Sequence, residues 1–172
     1  MKKTTVFLTG GTGNMGWAGF QELYRRKDRF NIRLLARDSK KNRRKLKPYL
    51  ADPSVTVIWG DLMRYEDVLS GVTGADYVLH VGGMVSPAAD YYPEKTLKVN
   101  VGSAENVVKA IQAQPDSSKI KVVYIGSVAQ YGDRNPPHHW GCASEPQVPA
   151  EFDMYALSKI CSEQVFASAG FR

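Results

Sequence analysis

Five short runs of β-branched and aromatic residues alternate with helix-length segments, and that alternation limits what this chain can fold into. The runs are Thr5–Thr9, Ile32–Ala36, Val55–Trp59, Tyr77–Val81 and Val122–Ile125. Tyr77-Val78-Leu79-His80-Val81 is nearly continuous in apolar character, as a parallel strand covered on both faces should be. The intervening segments predict helices over Met15–Arg26, Lys40–Tyr49, Tyr65–Ser70 and Thr96–Ala113, with a last helix around Tyr155. In the first of these, Met15, Gly19, Phe20 and Leu23 form the apolar stripe; in the fourth, Val101, Val108 and Ile111 point inward. The pattern predicts an α/β fold: a doubly wound parallel sheet in strand order 3-2-1-4-5, a three-layer sandwich, with ligand at the strand C-termini. At 172 residues the chain has the length of a single domain with a real core.

The first strand runs straight into Gly10-Gly11-Thr12-Gly13-Asn14-Met15-Gly16. Gly10 can take a tight turn, Gly13 lets backbone approach a pyrophosphate, and Gly16 allows close packing of helix on strand. The N–H groups of the helix start, at Asn14 and Met15, are then free for phosphate oxygens. The spacing is G-x-x-G-x-x-G, so strand, turn and helix together, rather than glycines alone, carry the reading. Far along the chain stands Tyr155-Ala156-Leu157-Ser158-Lys159. Four residues apart on a helix, Tyr155 and Lys159 share a face, where an ammonium favours a phenolate and makes the tyrosine a usable general acid/base.

Composition is that of an ordinary globular protein, with 43% hydrophobic and 23% charged residues. No apolar run reaches the roughly 20 residues that span a bilayer, so no membrane partner is expected. Two cysteines, Cys142 and Cys161, make neither a disulfide framework nor a metal site, which fits a reducing cytoplasm. Met1-Lys2-Lys3-Thr4 leads directly into the first strand, so no cleaved leader is expected. Of the net charge of +6, much lies between Arg37 and Lys47: Arg37, Lys40, Lys41, Arg43, Arg44, Lys45 and Lys47. Without aromatic platforms or a groove-reading motif, this run does not predict nucleic-acid binding. It is either a solvated helix face or a site for an extra cofactor phosphate.

Six ordered segments resemble the N-terminal part of an extended short-chain dehydrogenase/reductase, the NAD(P)-dependent epimerase/dehydratase superfamily. They are Thr9–Gly16, Gly60-Asp61-Leu62, His80-Val81-Gly82-Gly83, Asn100-Val101-Gly102, Ser127–Gly132 and Tyr155–Lys159. The resemblance implies a Rossmann-type fold over residues 1–172 and a role for each match. Gly10, Gly13, Asn14, Met15 and Gly16 would cradle the pyrophosphate. Asp61, with Leu62, would meet the adenine, though Asp61 also reads as the N-cap of the next helix. His80, Val81 and Gly82 would pass the cofactor ribose, with His80 a hydrogen-bonded strand-end residue rather than a base. Asn100 would steady the active-site water and lysine, and Ser127 would bond a substrate oxygen. Tyr155 would exchange the proton, while Lys159 holds the ribose hydroxyls. Nucleotide-sugar dehydratases carry an acidic pair after the serine; Val128-Ala129 here lacks it.

The function these readings predict is hydride transfer between a nicotinamide and a carbonyl or secondary alcohol. An NAD-dependent sugar-nucleotide epimerase and a non-catalytic dinucleotide-binding module are the alternatives. The partner is a small-molecule substrate, a carbonyl compound or alcohol or else a sugar nucleotide. Family members continue past the tyrosine helix into another strand and a substrate domain, so that lobe is expected to be absent from this chain. Self-association into a homo-oligomer, through the strand-five edge or the Tyr155 helix, is the expected response. Strand two ends Ala36-Arg37, with no carboxylate to accept from the ribose hydroxyls. A guanidinium at Arg37 can fork onto a 2′-phosphate, so NADP is favoured over NAD, with Asp38 as the competing residue.

Overall fold

The computed structural model describes residues 2–133 and 141–170. Five parallel strands, β1 (Thr4–Thr9), β2 (Phe30–Ala36), β3 (Val55–Trp59), β4 (Tyr77–His80) and β5 (Lys121–Tyr124), form one sheet in the order β3-β2-β1-β4-β5. The helices are α1 (Asn14–Arg25), α2 (Lys40–Leu46), α3 (Tyr65–Val72), α4 (Ala88–Tyr91), α5 (Pro93–Gln112) and α6 (Met154–Ser168). The strand order is the expected one, with β1 at the centre of the sheet.

Two compact units are present. The first holds the chain up to Gly82 together with Asn106–Tyr124, and the second holds Gly83–Glu105 and the residues from Ile125 onward. The sheet belongs to the first, and alternation along its strands sets the packing. Leu8, Ile32, Leu34 and Ala36 join Phe20 of α1 and Leu46 of α2 in one buried cluster. The opposite face of β1 presents Phe7, whose ring lies against Gly71 of α3 so closely that a methyl there would strike it. Phe7 pairs in register with Arg33. That guanidinium donates to the carbonyls of Gly71 at 2.7 Å and Thr73 at 2.6 Å, satisfying the C-terminal end of α3.

Several local expectations need correcting. Met15 is 63% exposed, and the inward face of α1 is formed by Gly16 and Phe20, flanked by the half-buried Trp17, Leu23 and Tyr24. The aromatic cluster of Trp17, Phe20, Tyr24 and Tyr49 rotates the stripe one position from the simplest helical count. Pro48 ends α2 early, and the chain continues as a 3-10 turn over Lys47–Tyr49. The short α4 carries no strong periodicity and is not legible in the sequence. Val101 is half-buried; the inward face of α5 runs through Thr96, Asn100, Ser103, Ala104, Val107, Val108 and Ile111. The loop from Gly132 to Asp153 has no regular element in its described part, and Pro136 and Pro137 lie outside the described residues.

Candidate functional site

The first unit gathers its predicted residues at the C-terminal ends of β1, β2, β3 and β4. Gly10 leaves β1 with φ +69°, and a Cβ on it would stand 2.6 Å from the Gly82 nitrogen. The two backbones meet there with no room for a side chain. Gly16, on the first turn of α1, sits so close to the Gly10 carbonyl that it too admits no side chain. Gly13 is the N-cap of α1, supplies no side-chain acceptor, and no acidic residue stands in the first turn. The N–H groups of Asn14 and Met15 therefore begin a twelve-residue helix with an uncapped positive end, a geometry suited to an anion. Lys45 donates to the carbonyl of Thr12 at 2.9 Å and lies over the Trp17 ring, bringing a cation to this turn.

Thr9 ties the turn together, a role the motif alone did not reveal. Its fully buried hydroxyl oxygen accepts from the N–H groups of Val81 at 3.1 Å and Gly82 at 3.0 Å, and lies 3.0 Å from His80 Nδ1. His80 is buried and hydrogen-bonded at its strand end, as expected. Leu62 packs against Gly82, where a Cβ would be 2.6 Å from its Cδ1. Asp61 is not a helix N-cap: that position is Arg64, and the Asp61 carboxylate accepts from Met63 N–H at 2.8 Å in a local turn. At the end of β2, Arg37 is exposed, whereas Asp38 is forked by Arg43 at 2.5 and 2.8 Å. Arg43 also lies over the Trp59 ring.

The second unit holds Asn100, Ser127, Tyr155 and Lys159. Asn100 is buried and clamps a backbone: its Oδ1 accepts from Met84 N–H at 2.7 Å and its Nδ2 donates to Met84 O at 3.0 Å and Ser158 Oγ at 2.8 Å. Asn100 is thereby tied to α6 through Ser158. Ser127 caps a 3-10 turn, Val128–Tyr131, in a reciprocal capping box with Gln130. Tyr155 and Lys159 follow the Asp153 N-cap of α6, one helical turn apart. Tyr155 is half-buried; Lys159 is only 9% exposed.

Burial pushes the Lys159 ammonium down from its ordinary 10.5 to about 8, partly opposed by the charge of Glu163. A depressed lysine costs stability fully below the folded pKa and nothing once both states are neutral. The cost is therefore complete below about pH 8 and fades as pH rises toward 10.5. Lys159→Met is accordingly expected to be more stable than wild type at neutral pH, on the order of 1–3 kcal/mol, with the gap closing at alkaline pH. Thermal melts at both ends of that range check this, and equal stability throughout would contradict it.

Among the described residues, no group of His, Cys, Asp and Glu could hold a metal ion, and both cysteines are free. Among the described residues, no helix is long and apolar enough to cross a membrane.

Sheet order and the glycine turn after β1 define a Rossmann-type fold. The model of the NAD dependent epimerase/dehydratase family matches residues 6–170, and the chain belongs to that family. Among curated proteins, the UDP-glucose 4-epimerase of Rickettsia bellii (strain RML369-C) is 32% identical over 110 residues, covering 62% of this chain and 32% of the relative. That of Rickettsia canadensis (strain McKiel) is 33% identical over 110 residues, with the same coverage of 62% and 32%. The chain spans about a third of the length of these curated relatives. Among solved structures, the UDP-Glc/GlcNAc 4-epimerase from Campylobacter jejuni is similar with a TM-score of 0.81 at 19% identity, over 97% of this chain and 49% of that one. WbmH from Bordetella bronchiseptica, solved in complex with NAD+, gives 0.78 at 23% identity over 99% and 54%. At these identities the structural likeness shows the fold.

Proposed function

We propose that this chain is the cofactor-binding part of an enzyme that moves hydride between a nicotinamide dinucleotide and a carbonyl or secondary alcohol carbon. One observation carries the reading: the same chain holds an uncapped helix N-terminus behind a side-chain-free glycine turn and an α6 bearing Tyr155 and buried Lys159 one turn apart. Gly10, Gly13 and Gly16, with the N–H groups of Asn14 and Met15, would hold the pyrophosphate. Asp61 and Leu62 would border the adenine, and His80, Val81 and Gly82 the adjoining ribose. The bound dinucleotide would supply the hydride donor or acceptor. Tyr155 would give or take the proton at the substrate oxygen, Ser127 would bond that oxygen, and Lys159 would hold ribose hydroxyls and favour the phenolate. Asn100 would keep α6 in place through Ser158. The rest of the substrate site would lie in further sequence, and the protein would work as a homo-oligomer in a reducing cytoplasm.

NADP(H) is the favoured cofactor. Arg37 stands exposed at the end of β2, while Asp38, which an NAD site would turn toward the ribose, is occupied by Arg43. Arg37→Ala is expected to lose about tenfold or more in NADPH affinity and little for NADH. Cofactor fluorescence titrations measure both; an unchanged NADPH affinity would move the preference to NAD, the cofactor in the WbmH complex.

Sugar-nucleotide epimerisation is the second reading. Relatives at 32–33% identity are UDP-glucose 4-epimerases. Val128 and Ala129 leave no acidic pair after Ser127 for dehydration. Product and cofactor followed together separate the readings: a reductase consumes one reduced cofactor per product, whereas an epimerase returns its cofactor unchanged. Saturable cofactor binding without hydride exchange on any sugar nucleotide, alcohol or carbonyl, even in the longest form of the protein, would instead indicate a binding module.

A further inference from the structure

The second unit contains a cavity of about 540 Å3 bordered by Ser127, Gln130, Gln147 and Glu163. A chain of hydrogen bonds crosses its wall. Ser127 N–H donates to Gln130 Oε1 at 2.6 Å, and Ser127 Oγ accepts from Ala129 N–H at 3.3 Å. Gln130 Nε2 donates to Glu163 Oε2 at 2.6 Å, and Gln147 Nε2 donates to the same oxygen at 3.1 Å. Gln130 is only 2% exposed, so its amide has little access to bulk water and depends on these partners. Gly126 makes the arrangement possible, because a Cβ there would stand 2.7 Å from Gln130 Oε1.

We propose that Glu163 is a positioning residue: its carboxylate fixes Gln130, Gln130 fixes Ser127 at the cavity, and the same charge stands one helical turn from Lys159. The proposal rests on the roles assigned above to Ser127 and Lys159. A hydrogen-bond acceptor alone could serve Gln130, so the negative charge calls for a second reason. A carboxylate four residues beyond a buried lysine supplies one, since it favours the ammonium that burial opposes. Other ionisable groups on elements near α6 offer less. Asp90 on α4 is exposed and bonded by Ser86 Oγ at 3.0 Å, Glu94, Lys95, Lys98 and Glu105 on α5 are exposed, and the 3-10 turn holds Tyr131. Along α6, Tyr155 is the neighbour on the other side.

The two functions of Glu163 can be separated by two variants of the full chain, read by NMR without any turnover. Glu163→Gln keeps an acceptor oxygen and loses the charge. It is expected to leave the Gln130 side-chain amide protons slow to exchange and to shift the Lys159 titration midpoint downward. Lys159 is followed through its side-chain carbon signals, assigned by their loss in Lys159→Arg. Glu163→Leu removes the acceptor and is expected to bring the Gln130 amide into fast exchange. An unmoved Lys159 midpoint in Glu163→Gln overturns the proposal, and so does a Gln130 amide still protected in a folded Glu163→Leu. If Glu163→Leu does not fold, the Lys159 midpoint in Glu163→Gln decides alone. Because neither readout needs catalysis, failure here is distinct from failure of the hydride-transfer reading, which Tyr155→Phe tests.

Discussion

Tyr155→Phe is expected to lower turnover by about a hundred- to ten-thousand-fold, the range typical of losing a positioned acid/base. Cofactor affinity should stay within a few fold, because the phenolic proton would be needed in the transition state while the Gly10–Gly16 turn is proposed to hold the dinucleotide. Phenylalanine keeps the ring, so the half-buried position is refilled and stability changes little. Steady-state kinetics on the longest form of the protein that turns over, with cofactor titrations beside them, measure the two effects. The expected signature is a fall in kcat with binding intact. Retention of most activity would remove Tyr155 from the chemistry and leave Ser127 and Lys159 without the group they are proposed to serve.

Gly10→Ala is the second large effect, and Gly74→Ala is its built-in control. Both glycines have positive φ, +69° and +70°, so each substitution carries the left-handed backbone cost of about 1–2 kcal/mol. At Gly74 nothing lies within 4 Å of the added Cβ, so that cost should be the whole effect. At Gly10 the added carbon would stand 2.6 Å from the nitrogen and 2.7 Å from the Cα of Gly82, both backbone atoms that cannot turn aside. The turn must therefore open, breaking the hydrogen bonds that Thr9 receives from Val81 and Gly82. Gly10→Ala is expected to lower thermal stability well beyond Gly74→Ala and to abolish dinucleotide binding. Melting curves and cofactor titrations of the two variants compare them directly. Equal losses would mean that the approach of Gly10 to Gly82 does not shape the cradle.

What the sequence disclosed follows from which interactions are local. Strand order was legible because five strand-like runs alternate with helix-length segments, and right-handed crossovers then leave the order β3-β2-β1-β4-β5. The glycine turn was legible because a strand, three glycines and a helix are adjacent in the chain. Long-range pairings were not. Nothing near Thr9 announces that its hydroxyl is shared by Val81 and Gly82, over seventy residues away. Asn100 matched a family position, yet its clamp on Met84 and Ser158 became visible only with the fold. Met15 misled because the helical count was centred one position away from the aromatic cluster of Trp17, Phe20, Tyr24 and Tyr49. Glu163 did carry a local signal, four residues beyond Lys159 on α6, but its bond to Gln130 joins segments 33 residues apart.

The central claim is that this chain binds a reduced nicotinamide dinucleotide at the Gly10–Gly16 turn. Its most direct test is a fluorescence titration of the wild-type chain with NADPH and, separately, NADH. The account predicts saturable binding of one equivalent per chain, tighter for NADPH than for NADH. A folded chain showing no saturable change with either cofactor would contradict it.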